Sequence, residues 1–154
     1  LIRQLLQKQQ VGVAARLNHS RGAILIRPNH GLPRGAQVFS FEEASAKIFR
    51  EEGSLVLGSD SSILAEQVVP ARLRLVYGEA ELTDTMQLTS TAGELTQVAG
   101  LSKVFLRDEV FTIECIEGTI EVISAGVDTV LQPGQVLNLD RRGMPQSMHT
   151  KRSQ

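Results

Sequence analysis

From Val11 onward the chain repeats one pattern: short runs in which every second residue is apolar, broken by turns centred on glycine. VGVAARL puts Val11, Val13, Ala15 and Leu17 on one side. AQVFSF, EASAKIF, LVLGS and GEAEL obey the same rule, and Arg72 and Arg74 alternate with Leu73 and Leu75. Side chains of an extended strand point to opposite faces in turn, so a period of two predicts strands with one dry and one wet face. Parallel sheets covered by helices on both sides read as unbroken apolar runs instead. Between Lys103 and Leu139 four or five such strands follow one another, with turns at Arg107–Asp108, Glu117–Gly118, Ala125–Gly126 and Pro133–Gly134. Turn signals every ~8–12 residues predict an all-β sandwich, barrel or coil of strands.

Four stretches depart from the pattern. In residues 1–10, LIRQLLQKQQ, the apolar Leu1, Ile2, Leu5 and Leu6 fall near helical spacing, which predicts a helical or extended lead-in. RPNHGLPRG, residues 27–35, is dense in Pro and Gly and reads as an exposed loop inside the domain. Residues 83–100 are Thr-rich and alternate poorly, so short strands with an exposed loop are expected. Residues 141–154 are polar and basic and read as an arm ordered by a partner. The domain proper is therefore expected at 11–140.

The 154 residues suffice for one domain with a sizeable core. The 42% hydrophobic fraction is aliphatic, with five Phe, one Tyr and no Trp, which suits pleated surfaces packed face to face. Sixteen Lys and Arg against seventeen Asp and Glu leave a formal net charge of −1, so no field gathers nucleic acid or an anionic membrane. No apolar run approaches the ~18 residues of a membrane span. A membrane association, where there is one, is expected through an N-terminal segment upstream of Leu1. The single cysteine, Cys115, sits among Phe111, Ile113 and Ile116 and reads as a small buried core residue.

The units EGSLVLGS, YGEAELTD, EGTIEVIS and PGQVLNLD share one shape, a glycine followed by an alternating strand. Either stacked rungs of a solenoid or a doubled sheet of regular hairpins explains them. Their order resembles the FecR-like domain of bacterial signalling and cell-envelope proteins, from about Ala14 to Asp140. Three blocks carry the resemblance. In GAILIRPNHGLPRGAQVFSFEEASAKIFREEGSLVLGSDSSI, the residues Gly35, Ala44, Ala46, Gly53, Ser54, Leu57, Gly58 and Ser62 fall at the family's places. ARLRLVYGEAEL matches a strand pair with Gly78 at the turn, and VFTIECIEGTIEVISAGVDTVLQPGQVLNLD matches the closing segment with Gly118, Pro133, Gly134 and Gln135. One departure is Gly100, followed here by Leu101 where family members commonly have Gly-Thr.

The resemblance implies a β-solenoid-like or twisted β-sandwich fold outside the cytoplasmic membrane, periplasmic or envelope-associated. In iron-uptake regulators such domains relay a signal to a sigma factor through an N-terminal cytoplasmic segment. That segment is not in this sequence, so the sigma-regulator role does not carry over. Cupin jelly rolls share the glycine spacing, but their metal site needs a cluster of histidines and a glutamate converging on one ion. His19, His30 and His149 are far apart in sequence and none has a close histidine partner.

No phosphate-cradling glycine loop, nucleophile elbow or HExxH string occurs. Glu114, Glu117 and Glu121 read as solvated strand charges, and Asp60 alone cannot make a calcium loop of Ser59–Ser62. No catalytic residue, metal ligand or cofactor is expected. Gly35, Gly53, Gly58, Gly78, Gly118, Pro133 and Gly134 are expected as turn positions, and Arg72, Arg74, Arg141 and Arg142 as candidate partner-binding residues. The expected function is a non-catalytic protein–protein interaction module, relaying a signal or serving as a structural subunit of an envelope or membrane-associated assembly. The alternative is a small-ligand or carbohydrate-binding β-domain.

Overall fold

The computed structural model describes residues 3–6, 13–16, 30–31, 37–40, 45–49, 53–67 and 72–150. They form β1 (Arg3–Leu6), β2 (Val13–Arg16), β3 (His30–Gly31), β4 (Gln37–Ser40), β5 (Ala46–Phe49), β6 (Gly53–Leu57) and β7 (Ser61–Gln67). Then come β8 (Arg72–Asp84), β9 (Met86–Thr89), β10 (Glu94–Arg107), β11 (Val110–Ser124), β12 (Val127–Leu131), β13 (Gln135–Leu139) and β14 (Pro145–Thr150). Hydrogen bonds join all 14 strands into one sheet. Every pairing is antiparallel except that of β8 with β9.

Three strands are unusually long, with 13, 14 and 15 residues in β8, β10 and β11. Each changes partners halfway. The first part of β8 pairs with β7 and β9, its second part with β6 and β10. The first part of β10 lies beside β9, its second part beside β8, and β11 accompanies both. β11 likewise passes from β13 to β12. One layer therefore runs β3-β1-β5-β6-β8-β10-β11-β13-β14, and the other β2-β4-β7-β8-β9-β10-β11-β12, with the three long strands shared.

Burial shows that both layers close on one core. Leu73 and Leu75 face inward on the first part of β8, Ala80 and Leu82 on the second, so the inward parity switches from odd to even. The same switch separates Leu95 and Gln97 from Ser102, Val104 and Leu106 on β10. On β11 it separates Phe111, Ile113 and Cys115 from Ile120, Val122 and Ser124. A surplus residue at a bend is what lets a strand cross from one packed layer to the other while keeping its apolar side inward. The apolar residues of both layers join in a single cluster, from Val38 to Leu139.

Glycines stand at the three crossings. Gly100 on β10 is opposite Gly118 on β11, at φ +127° and +76°, and the ladder between the two strands is irregular beside them. A Cβ on either would run into the other strand's backbone, at the carbonyl of Glu117 or of Ala99. At the β8 crossing the place of a Gly78 Cβ is taken by Ser61, whose Oγ accepts a 2.9 Å hydrogen bond from the Glu79 amide and donates one to the Ser59 carbonyl.

Polar side chains fill the gaps that the crossings leave in the ladder. Gln97, fully buried, turns Nε2 toward the carbonyls of Asp84 at 2.9 Å, Gly100 at 3.1 Å and Leu82 at 3.2 Å. Its Oε1 accepts from the buried Ser102 hydroxyl. A backbone oxygen left unpaired in the interior costs about 1–3 kcal/mol, so one amide here satisfies a break in the sheet. Cys115 holds the equivalent place on β11, its thiol 3.3 Å from the Gly118 carbonyl.

The helical form of the lead-in is not what Arg3–Leu6 adopts. These residues are extended and pair with Ala46–Phe49 on one side and His30–Gly31 on the other. A four-residue helix cannot offset its nucleation cost, whereas an extended segment gains a ladder from a waiting strand edge. Stacked solenoid rungs are also absent among the described residues, since such rungs pair in parallel and these strands reverse. The Thr-rich stretch holds a short strand, β9, and a loop at residues 90–93 with Thr91 exposed, but it is more deeply built in than its composition suggests: Met86, Leu88, Leu95 and Gln97 are buried. Residues 145–150 lie as β14 along β13, with every side chain exposed.

Candidate protein-binding surface

The expected turn positions divide by role. Pro133 and Gly134 do form a reversal, closed by the Gln135 amide donating to the Gln132 carbonyl at 3.0 Å. Gly58 follows β6 and donates its amide to the Glu79 carbonyl at 2.8 Å. Gly78 and Gly118 lie inside continuous strands, because the chain there crosses between layers rather than reversing. Gly53 opens β6 in register with Asp84. Gly35 lies outside the described residues. Gly100 is the crossing glycine that the turn reading passed over; a lone glycine in a strand run was its signal.

Three of the four candidate arginines meet. Arg72 and Arg74 project from the outer face of β8, in the layer that contains β7, β9 and β12. Gln67 pairs with Arg72 and Leu64 with Arg74 on one side, while Thr89 and then Glu94 continue the row on the other. Arg72 lies 3.9 Å from Glu94 and Arg74 lies 3.7 Å from Glu66, with the Thr89 hydroxyl also on Glu66 at 2.5 Å. Arg142 arrives from a turn far along the chain. Asp140 shapes that turn: its carboxylate accepts from the amides of Arg142 at 2.8 Å and Met144 at 2.9 Å. These residues border an open groove of about 390 Å³, whose far wall is the 90–93 turn and Ser124.

Arg141 points elsewhere, to Glu109 at 3.5 Å, and is mostly exposed. Glu109 borders a second open groove, of about 600 Å³, with Tyr77, Val76 and Arg107; Thr91 is common to both grooves. The chain's one tyrosine is thus 39% exposed beside an exposed valine. Aromatic and arginine side chains at a surface are favoured in protein interfaces, because they combine large contact area with oriented donors.

The outer face of the other layer differs. Lys47, Val56, Glu81, Lys103, Glu114, Val136 and His149 form one cross-strand row there. A groove of about 260 Å³ beside it is bordered by Glu79, Glu81, Lys103 and Phe105. Thr112, Asn138 and Ser147 continue the neighbouring row as a hydrogen-bonded ladder, at 2.6 and 2.9 Å.

Among the described residues no three His, Cys, Asp or Glu side chains come together as a metal site. Nor is there a helix long and apolar enough to cross a membrane. Glu117 and Glu121 are exposed and Glu114 is half-buried on the outer face. Cys115 is fully buried, and burial pushes its thiol pKa up, which disfavours the reactive thiolate.

No family model and no curated protein matches the chain. Among solved structures the fold has counterparts. Two crystal structures, at 2.50 and 1.65 Å resolution, are of a protein described as a "putative anti-sigma factor" from Parabacteroides distasonis. Each superposes with a TM-score of 0.63 at 11% sequence identity, over 75% of this chain. The chain spans 59% of the length of those proteins. At that identity the likeness is one of fold, over part of the length of those proteins.

Proposed function

We propose that the chain is a FecR-like module that acts through contact with other proteins and catalyses no reaction. The observation that carries this reading is the sharing of its crossed two-layer fold with structures described as anti-sigma factors. The family resemblance of the three sequence blocks supports it independently. Around the grooves the side chains are arginines, glutamates, a tyrosine and hydroxyls on rigid strands and short turns, a composition suited to a protein surface. Signal relay and a structural role in an envelope or membrane-associated assembly are the two forms the function takes. In either form the module works outside the cytoplasmic membrane, as FecR-like domains do.

The test is capture of partners from native membranes by the affinity-tagged chain, followed by sedimentation and mass measurement. Recovery of a protein in fixed stoichiometry is expected. A chain that stays alone, and instead binds glycans on an array, would overturn the reading in favour of a carbohydrate-binding domain.

A further inference from the structure

The groove beside Arg72 carries a charge and hydrogen-bonding imbalance that its own residues do not resolve. Three guanidinium groups, of Arg72, Arg74 and Arg142, face two carboxylates, of Glu66 and Glu94. The surplus is positive in a chain whose formal net charge is −1. The groove on the opposite layer has the reverse surplus, with Glu79 and Glu81 against Lys103. Charge is therefore sorted between the two faces.

Donors also outnumber acceptors. Ion pairs at 3.9 and 3.7 Å attract, but they exceed the roughly 2.7–3.2 Å of an N–H···O hydrogen bond. Arg142 has no carboxylate partner among the described residues. Each guanidinium carries about five N–H donors in a planar fork that fits a carboxylate bidentately.

From this we infer that the groove receives an acidic, extended segment of a protein partner, with Asp or Glu at alternate positions. Arg72 and Arg74 are two residues apart on one strand face, about 7 Å along the backbone, the same repeat that an extended peptide gives its alternate side chains. Glu66 and Glu94, on strands either side of Arg72 and Arg74, favour single carboxylates placed at intervals over a continuous polyphosphate backbone, which they would repel. The inference rests on the reading of the chain as a protein-binding module and names the chemistry of what it binds.

The test is fluorescence anisotropy of the full chain with a labelled peptide of alternating glutamate and serine, at low and at physiological salt. Alternating lysine–serine and all-serine peptides serve as comparisons. Only the acidic peptide should bind. R72Q/R74Q together should weaken it about tenfold and Arg142→Gln about fivefold, with Lys103→Gln on the opposite face leaving it unchanged. Circular dichroism melting curves matching the parent confirm that the variants fold. Equal binding of the serine peptide, no binding of the acidic one, or equal weakening by Lys103→Gln would overturn the inference. So would competition by a DNA oligonucleotide at equal charge, or a salt-dependent dimer that vanishes in R72Q/R74Q, which would make a second copy the occupant. If R72Q/R74Q still captures the membrane partner, the groove assignment falls and the module stands. If the peptide binds as expected but no protein is captured, the module reading falls and the carboxylate preference stands.

Discussion

The crossings of β8, β10 and β11 and the outer faces of the same three strands obey different rules. At a crossing, two backbones approach so closely that Gly100 and Gly118 leave no room for a single carbon, and Gln97 serves several backbone groups at once. On the faces, Arg74 and Glu66 stand 3.7 Å apart, both partly exposed. Interior contacts are all-or-none because packing and unpaired polar groups are unforgiving. Exposed ion pairs are each worth about 0–1 kcal/mol. The molecule thus separates what holds it together from what it can present to a partner. A change in binding need not disturb the fold.

The sharpest way to break that separation is Gly118→Val. A β-branched side chain at φ +76° is strained, and its Cβ meets the Ala99 carbonyl. A loss of more than about 3 kcal/mol is expected, read as collapse of the denaturation midpoint or failure to fold. A variant as stable as the parent would mean the strands do not cross here. Next is Gln97→Leu, which fills the same space but leaves the Ser102 hydroxyl and the carbonyls around it without a donor or acceptor. About 2–4 kcal/mol should be lost. Adding Ser102→Ala should restore part of it by removing the orphaned hydroxyl, and strict additivity in that cycle would show that the two are not coupled.

These positions also mark where sequence reading reaches its limit. Period-two alternation located strands because inward and outward side chains must differ, and that rule survives into the folded chain on Gln37–Ser40 and Leu73–Leu75. It does not say which strand pairs with which. Gly78 and Gly118 therefore read as hairpin turns, since a glycine between two alternating runs looks the same at a reversal and at a crossing. What distinguishes them is the odd step in parity, from Leu75 to Ala80 and from Cys115 to Ile120, visible in the sequence once a crossing is suspected. The stretch 83–100 is underestimated for a related reason: Gln97 points inward and Thr89 is covered beside Glu66 on the outer face, so polarity there misreports burial. Of the candidate site, the arginines of β8 were legible from alternation. That Arg142 joins them, and Arg141 does not, depends on the turn shaped by Asp140, a contact that no local pattern reveals.

A smaller effect tests the interior from the side of chemistry. Burial raises the Cys115 thiol pKa in the folded chain above its ordinary value of 9.0. Below that value the thiol is protonated in both states, and the burial contributes in full. Above it the unfolded chain's thiol ionises while the folded one resists, so the folded state loses stability as pH rises toward the folded pKa. Urea midpoints at neutral and alkaline pH should fall further for the parent than for Cys115→Ala. Parallel falls would show the thiol to be open to water.

The least effect on stability is expected on the faces. Arg74→Gln removes an ion pair whose arginine side chain is 36% exposed, and Arg141→Gln one whose arginine is 65% exposed. Each should shift unfolding by no more than about 0.5 kcal/mol, since solvent screens both pairs. Their influence on binding should nevertheless part ways: Arg74 lies in the groove with Arg72 and Arg142, while Arg141 is turned toward Glu109. Two charge removals that are equal in stability and unequal in partner capture would show that recognition is written on one face of β8. Equal effects on capture would instead spread it over both grooves, with Thr91 at their junction as the next position to change.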